Sequence, residues 1–225
     1  MVKNKMTRLR NKDERNIILE QIYALYPDKK IELDFETPFQ LLVAVMLSAQ
    51  MTDTWVNRAT KKLFKKVRTP SDLLTLSQEE VETKLRSINY YRVKTKHIFE
   101  TAGKLLSDYH GEIPPTLKDI QTLPWVGIKT AKVVLSHLYD MPFIGVDTHI
   151  HRVMNRMGIV HTKTPEETDK KLEKLLTNEQ KRTMHHAIVL FGRYICTARK
   201  CRCSETELKK WCQCEECVTE RFSAS

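Results

Sequence analysis

Two residues in this chain of 225 sit where packing alone does not call for their chemistry, Lys129 and Asp147. Lys129 ends the run Leu123-Pro124-Trp125-Val126-Gly127-Ile128-Lys129, where Pro124 and Gly127 punctuate a tight turn. Helical spacing follows from Ile128 to Leu138, with Val133, Val134 and Leu138 on one face. A helix that starts straight after a turn leaves its first amides without partners in the helix. With the positive end of the dipole they make a seat for a phosphate, here the amides of Val126, Gly127, Ile128 and Lys129. A cation in that first turn opposes the dipole, so packing gives Lys129 little reason to be there. Asp147, in Gly145-Val146-Asp147-Thr148-His149, precedes a second helical run, Ile150, Val153, Met154 and Met157, closed by Gly158. It is the natural N-cap, and a cap is also a rigidly held carboxylate. The cap reading of Asp147 and a chemical use of the same fixed carboxylate are compatible.

A third constellation lies near the end of the chain. All 6 cysteines fall between Cys196 and Cys217, which is the look of a metal site and not of a disulfide framework spread over the fold. Arg199, Lys200 and Arg202 stand among them as a cationic loop suited to backbone phosphates. His185 and His186 lack a further histidine at ligand spacing and read as bonded structural residues.

The elements that must position these groups are helical. Residues 13–26 carry Ile18, Ile22 and Leu25 on one stripe. Thr37-Pro38-Phe39-Gln40 is a capping box with proline at the first helical position, leading into a buried helix from Leu41 to Leu47. Asp53 to Val67 reads as a helix whose Arg58, Lys61, Lys62, Lys65 and Lys66 form a solvated face. Ser77 to Glu80 caps another, Val93 to Tyr109 makes a long one ended by Gly111, and Leu117 to Leu123 a short one before the turn. Thr164 to Glu167 caps a helix with Leu172, Leu175 and Leu176, and His185 to Phe191 is apolar and helical. No pair of alternating runs flanks a hairpin turn, so the fold class is all-α. A net charge of +10 and a pI near 9.3 point to a polyanionic partner. No apolar run has membrane-spanning length and no signal core follows the basic start, so the chain is expected to stay where it is made, in the cytoplasm.

LPxVGxKTAxVV followed by VDTHIxRV resembles the helix-hairpin-helix and Gly/Pro-Asp signature of the endonuclease III family of DNA base-excision glycosylases. Leu41 to Asn57 (LLVAVMLSAQMTDTWVN) and His185 to Cys201 (HHAIVLFGRYICTARKC) extend the resemblance over nearly the whole chain. It implies two helical domains, a six-helix barrel-like one over 31–141 with the hairpin motif, and an iron–sulfur one built from 1–30 and 142–225. The implied activity is a bifunctional glycosylase with β-elimination lyase activity on oxidised pyrimidines, acting on damaged double-stranded DNA as a nucleoid-associated monomer. Lys129 would attack the sugar C1′ and Asp147 would assist deprotonation or stabilise positive charge on the sugar. Gln50 would enter the gap left by an everted base, Asp53 would order that loop, and Tyr90 would wedge into the duplex. Asn89 and Trp125 stand where the family has glycine more often.

The family pattern C-x6-C-x2-C-x5-C for a [4Fe–4S] cluster meets Cys196, Cys203 and Cys212 here, but its third place is Thr206, a poor ligand for a soft iron site. Among the remaining thiols, Cys201, Cys214 and Cys217, the resemblance is best completed by Cys217. Zinc on Cys203, Cys212, Cys214 and Cys217, or a tail without metal, are the alternatives. Rivals to the lyase reading are a monofunctional mismatch or adenine glycosylase of the same superfamily, which generally lacks a lysine at the place of Lys129, and a non-enzymatic DNA-binding module with a zinc tail.

Overall fold

The computed structural model describes residues 8–27, 31–214 and 217. Among these the chain is all-α: α1 (Lys12–Leu25), α2 (Pro38–Leu47), α3 (Asp53–Thr60), α4 (Pro70–Leu74), α5 (Gln78–Leu85), α6 (Tyr91–Tyr109), α7 (Leu117–Ile120), α8 (Ile128–Tyr139), α9 (Thr148–Arg156), α10 (Pro165–Leu175) and α11 (Asn178–Tyr194), then two 3₁₀ turns, Cys203–Glu205 and Glu207–Lys210. An isolated bridge between Cys196 and Cys201 is the only β pairing among the described residues. Contacts divide the chain into two compact units, Ile31–Gly145 and the terminal segments Met1–Lys30 with Val146–Ser225.

Many helix starts are written in the sequence. Ser77 and Thr69 close reciprocal capping boxes with Glu80 and Asp72. At Thr37 and Thr164 the hydroxyl accepts from the amide of the third helical residue, Gln40 and Glu167, and proline holds the first helical position. Neither of these boxes closes on its own N-cap amide, because Gln40 and Glu167 accept one residue earlier, from the amides of Glu36 and Lys163.

Within Ile31–Gly145, α2 is buried nearly all round and forms the middle of a core shared with α3, α5, α6 and α8, including Leu41, Leu47, Val56, Leu85, Ile98, Leu105 and Val134. Two expectations need correcting here. The basic helix stops at Thr60 and does not run to Val67, and the following residues continue as turns. The buried Thr60 hydroxyl bonds back to the Val56 carbonyl at 3.0 Å, a competitor to helix continuation, and the like-charged Lys61, Lys62, Lys65 and Lys66 repel across successive turns. Their charges still face solvent, over the buried Ala59, Leu63 and Val67. Second, α7 is one turn long and Leu123 lies in the turn after it.

In the terminal unit α1 and α9 pack on α11, burying Ile18, Ile22, Val153, Met154, Ile188 and Phe191. Leu25, expected on the buried stripe of α1, is exposed, since the helix ends at that residue. At the α9–α11 contact a side chain on Gly192 would meet His149 Cβ at 2.9 Å, so glycine sets how closely the first turn of α9 lies on α11.

Candidate functional site

In the hairpin the left-handed residue is Trp125 (φ 64°), whereas Gly127, the natural choice from sequence, is extended at φ −75° and serves as N-cap of α8. A bulky residue with positive φ costs on the order of 1–2 kcal/mol. The turn is held by side chains from α6. The Thr101 hydroxyl donates to the Pro124 carbonyl at 2.8 Å, Trp125 Nε1 donates to Glu100, and the indole stacks on His97 with ring centroids 3.6 Å apart. Gly127 offers no side chain to cap α8, and the space where its Cβ would stand is open. The first amides of α8 are therefore not covered by their own N-cap. Lys129 is exposed in that first turn. Downstream, Gly145 passes so close that a Cβ there would lie 3.1 Å from the Lys129 carbonyl and 2.5 Å from Val133 Cγ2.

A second loop lies after α2. Gln50 is exposed with φ 57°, and Tyr90, N-cap of α6, is 70% exposed with φ 58°. Asn89 holds them in register, its side-chain amide donating to the Gln50 carbonyl at 3.2 Å and its backbone amide to Met51 Sδ at 3.4 Å. Beneath them Lys94, 9% exposed, donates from Nζ to the carbonyls of Leu47 (2.8 Å) and Ala49 (2.6 Å), a cation on the C-terminal carbonyls of α2. Burial lowers its pKa from the ordinary lysine value. Gln50, Tyr90, Val93, Lys94, His97 and Trp125 line a cleft of about 320 Å³. Lys94 and His97 were not singled out from the sequence, yet Lys94 falls on the buried stripe of α6 with Ile98, Thr101 and Leu105, and a lysine in such a stripe is itself a sign.

In the terminal unit Asp147 caps α9, Oδ1 accepting from the Ile150 amide at 2.8 Å. Arg152 of α9 donates to the carbonyls of Gly192 (2.6 Å) and Cys196 (2.8 Å), and Arg156 to those of Thr197 (2.7 Å) and Ala198 (3.2 Å). These bonds fix the loop that carries Arg199 and Lys200, both exposed.

The six thiols converge. Cys201, Cys212, Cys214 and Cys217 have sulfurs within 4.8 Å of one another, and Cys196, Cys201 and Cys203 form a second such group. Cys201 belongs to both, 3.7 Å from Cys212 Sγ and 3.4 Å from Cys217 Sγ. The resemblance groups Cys196, Cys203, Cys212 and Cys217, and the zinc alternative includes Cys214; Cys201 is in neither set, because a chain folding back on itself is invisible to a linear pattern. A hydrogen bond with Cys201 pushes the Cys196 thiol up to about 11, and burial pushes Cys217 up to about 12. A metal that takes these sulfurs must displace their protons, and the soft, mostly buried donor set fits an iron–sulfur group or zinc.

Residues 43–178 match the HhH-GPD superfamily of base excision DNA repair proteins. Endonuclease III of Escherichia coli K12 is 42% identical over 208 residues, 92% of this chain and 99% of the relative. The Bacillus subtilis endonuclease III is 41% identical over 196 residues, 87% and 90% of the two chains. The chain belongs to the endonuclease III family. A solved structure of a trapped endonuclease III–DNA covalent intermediate superposes with TM-score 0.88 at 38% identity, covering 95% of this chain and all of that one. A thermostable thymine-DNA glycosylase, 23% identical with TM-score 0.77 over 89% of this chain, shares the fold.

Asn89 and Trp125, where the resemblance leads to an expectation of glycine, have physical descriptions in this structure. Asn89 bonds the Gln50 loop while positive φ falls to Tyr90, and Trp125 takes the strained turn position. Replacing Lys94 by methionine keeps the packing but strands two carbonyls. Lys94→Met should lower stability by about 1–3 kcal/mol, roughly 2–12 °C in Tm, measurable by thermal unfolding. Unaltered melting would mean that these carbonyls do not depend on the ammonium.

Proposed function

We propose that this chain is a bifunctional DNA glycosylase with β-elimination lyase activity that removes oxidised pyrimidines from duplex DNA, acting as a monomer in the cytoplasm. The observation that carries the reading is Lys129, an exposed amine in the first turn of α8 behind the hairpin, in a chain whose 38% identical structural relative is known as a trapped covalent intermediate with DNA. The glycosidic carbon is out of reach in a stacked duplex, so the nucleotide is everted at a cost of a few kcal/mol that is least for damaged bases. Gln50 and Tyr90 fill the gap, and the amides from Val126 to Lys129 with Arg199 and Lys200 hold backbone phosphates.

Neutral Lys129 then attacks C1′. The N–C1′ bond forms as the glycosidic bond breaks, and the base leaves with that electron pair and a proton. The proton on the base is the one the attacking nitrogen gives up. Ring opening then breaks the C1′–O4′ bond, O4′ keeps that electron pair and takes a proton from water, and the nitrogen lone pair closes an iminium between Lys129 and C1′. Loss of a C2′ proton then expels the 3′ phosphate and cuts the strand. Asp147 takes the proton from the lysine ammonium or stabilises the positive charge on the sugar. A lysine-free mechanism would leave the strand intact, and Lys129 favours the lyase over monofunctional relatives.

In this reading Cys196, Cys203, Cys212 and Cys217 hold a [4Fe–4S] cluster, which when bound supplies a cross-link that stiffens the Arg199–Lys200 loop. A second reading has its own observation. Sulfurs on a tetrahedral zinc stand about 3.8 Å apart, from a Zn–S bond of about 2.3 Å. The separations of Cys201 and Cys212 (3.7 Å), Cys201 and Cys217 (3.4 Å) and Cys212 and Cys214 (3.3 Å) are near that value.

Three predictions separate these roles. On a thymine glycol duplex, Lys129→Ala should lose strand cleavage by at least about 10³-fold while binding stays within a few-fold. Asp147→Asn should slow base removal by about 10²-fold or more with an intact fold. If the aspartate variant loses stability and keeps turnover, Asp147 is a helix cap only. Protein purified without oxygen should be yellow-brown with about four irons per chain. Cys217→Ser should bleach it and Cys201→Ser should not. Colour lost with Cys201→Ser would move the fourth ligand to Cys201, and colourless protein with one zinc would establish the second reading.

A further inference from the structure

We propose that the cleft beside the hairpin seats a nucleobase of the opened duplex, stacked against the indole of Trp125 and met at its edge by the Gln50 side chain. The inference rests on the glycosylase reading above and concerns a residue for which that reading has no use. Trp125 is held in a left-handed conformation that glycine would adopt without strain, yet it remains 59% exposed, so burial does not compensate for the strain. One face of the indole is covered by His97, at an interplanar angle of 12°, and Nε1 is fixed on Glu100. Burial lowers the His97 pKa, which favours the neutral ring as a stacking partner. The Glu100 charge is engaged by Trp125 and by Lys96, 3.7 Å away.

Such an arrangement presents a rigid aromatic plane to solvent. Tyr90 and Val93, 70% and 52% exposed, add apolar surface in the same cleft, and Gln50 adds an amide with both donor and acceptor. A flat ring with a polar edge fits these parts, and a chain of charge +10 brings nucleic acid to them. Eversion supplies bases that have lost a stacking partner: the base opposite the lesion and the base beside it on the damaged strand.

The test uses duplexes with a non-cleavable tetrahydrofuran abasic analogue and 2-aminopurine either opposite the analogue or next to it on the same strand. Binding by wild type should keep the 2-aminopurine quenched in one arm, and that arm identifies the source of the base. Trp125→Gly, which fits the backbone at this position, should fold with an unchanged or higher Tm, raise the emission in that arm and weaken binding about tenfold. Trp125→Phe should restore most of both. Wild-type quenching and affinity in Trp125→Gly overturn the inference alone. A wild type that neither binds the analogue duplex nor cuts a thymine glycol duplex overturns the glycosylase reading and the inference with it.

Discussion

The bond from the Thr101 hydroxyl to the Pro124 carbonyl decides where α8 begins, and the rest of the hairpin is arranged around that point. A turn closed only by its own backbone would be free to rock, and the first amides of α8 would sweep over space. Tied to α6 through Thr101, Glu100 and His97, the turn presents those amides and Lys129 in one fixed frame. The same helix carries Lys94, whose ammonium orders the end of α2 and with it the Gln50 loop. One long helix thus sets both the hairpin turn and the Gln50 loop, although they are 75 residues apart in sequence (Gln50 and Trp125).

The terminal unit has an equivalent organiser in α9. Its cap is Asp147, and its arginines reach the end of α11 and the loop after it. The carboxylate assigned to the chemistry and the loop assigned to phosphate contact therefore share one scaffold. This gives the cysteine cluster a structural link to α9, although it lies far from Asp147 in sequence. Tethering the cysteine loop also fixes the partners of Arg152 and Arg156, and through them α9.

Much of this was legible in the sequence, and the part that was not has a common cause. Caps at Ser77 and Asp147, the proline starts of α2 and α10, and the helix after Gly127 are local events, set by residues within one turn of each other. Lys129 stood out by its place in the first turn of a helix, and the family motif added Gln50 and Tyr90 as candidates. What could not be read is tertiary. The positive φ at Trp125 depends on His97 and Glu100 from another helix, and nothing in Leu-Pro-Trp-Val-Gly announces it. The stripe of Ile98, Thr101 and Leu105 marks Lys94 as a buried lysine, but the carbonyls of Leu47 and Ala49 that it satisfies come from another helix and its loop. Cys201 falls outside the expected ligand spacing because its neighbours Cys212 and Cys217 arrive through a chain reversal. The early end of α3 falls where the buried Thr60 hydroxyl bonds back to the Val56 carbonyl and Lys61, Lys62, Lys65 and Lys66 repel across successive turns, and the first of these effects is not visible in the charge pattern.

The central claim is that Lys129 forms the covalent bond to DNA, and the most direct measurement is the attachment site itself. Wild-type protein would be reduced with borohydride while acting on an abasic-site duplex, digested with a protease and nuclease, and the sugar-modified peptide sequenced by mass spectrometry. The account predicts the modification on Lys129, within the peptide that includes Thr130 and Ala131. A modification on another amine, or strand cleavage with no reducible adduct, would contradict it.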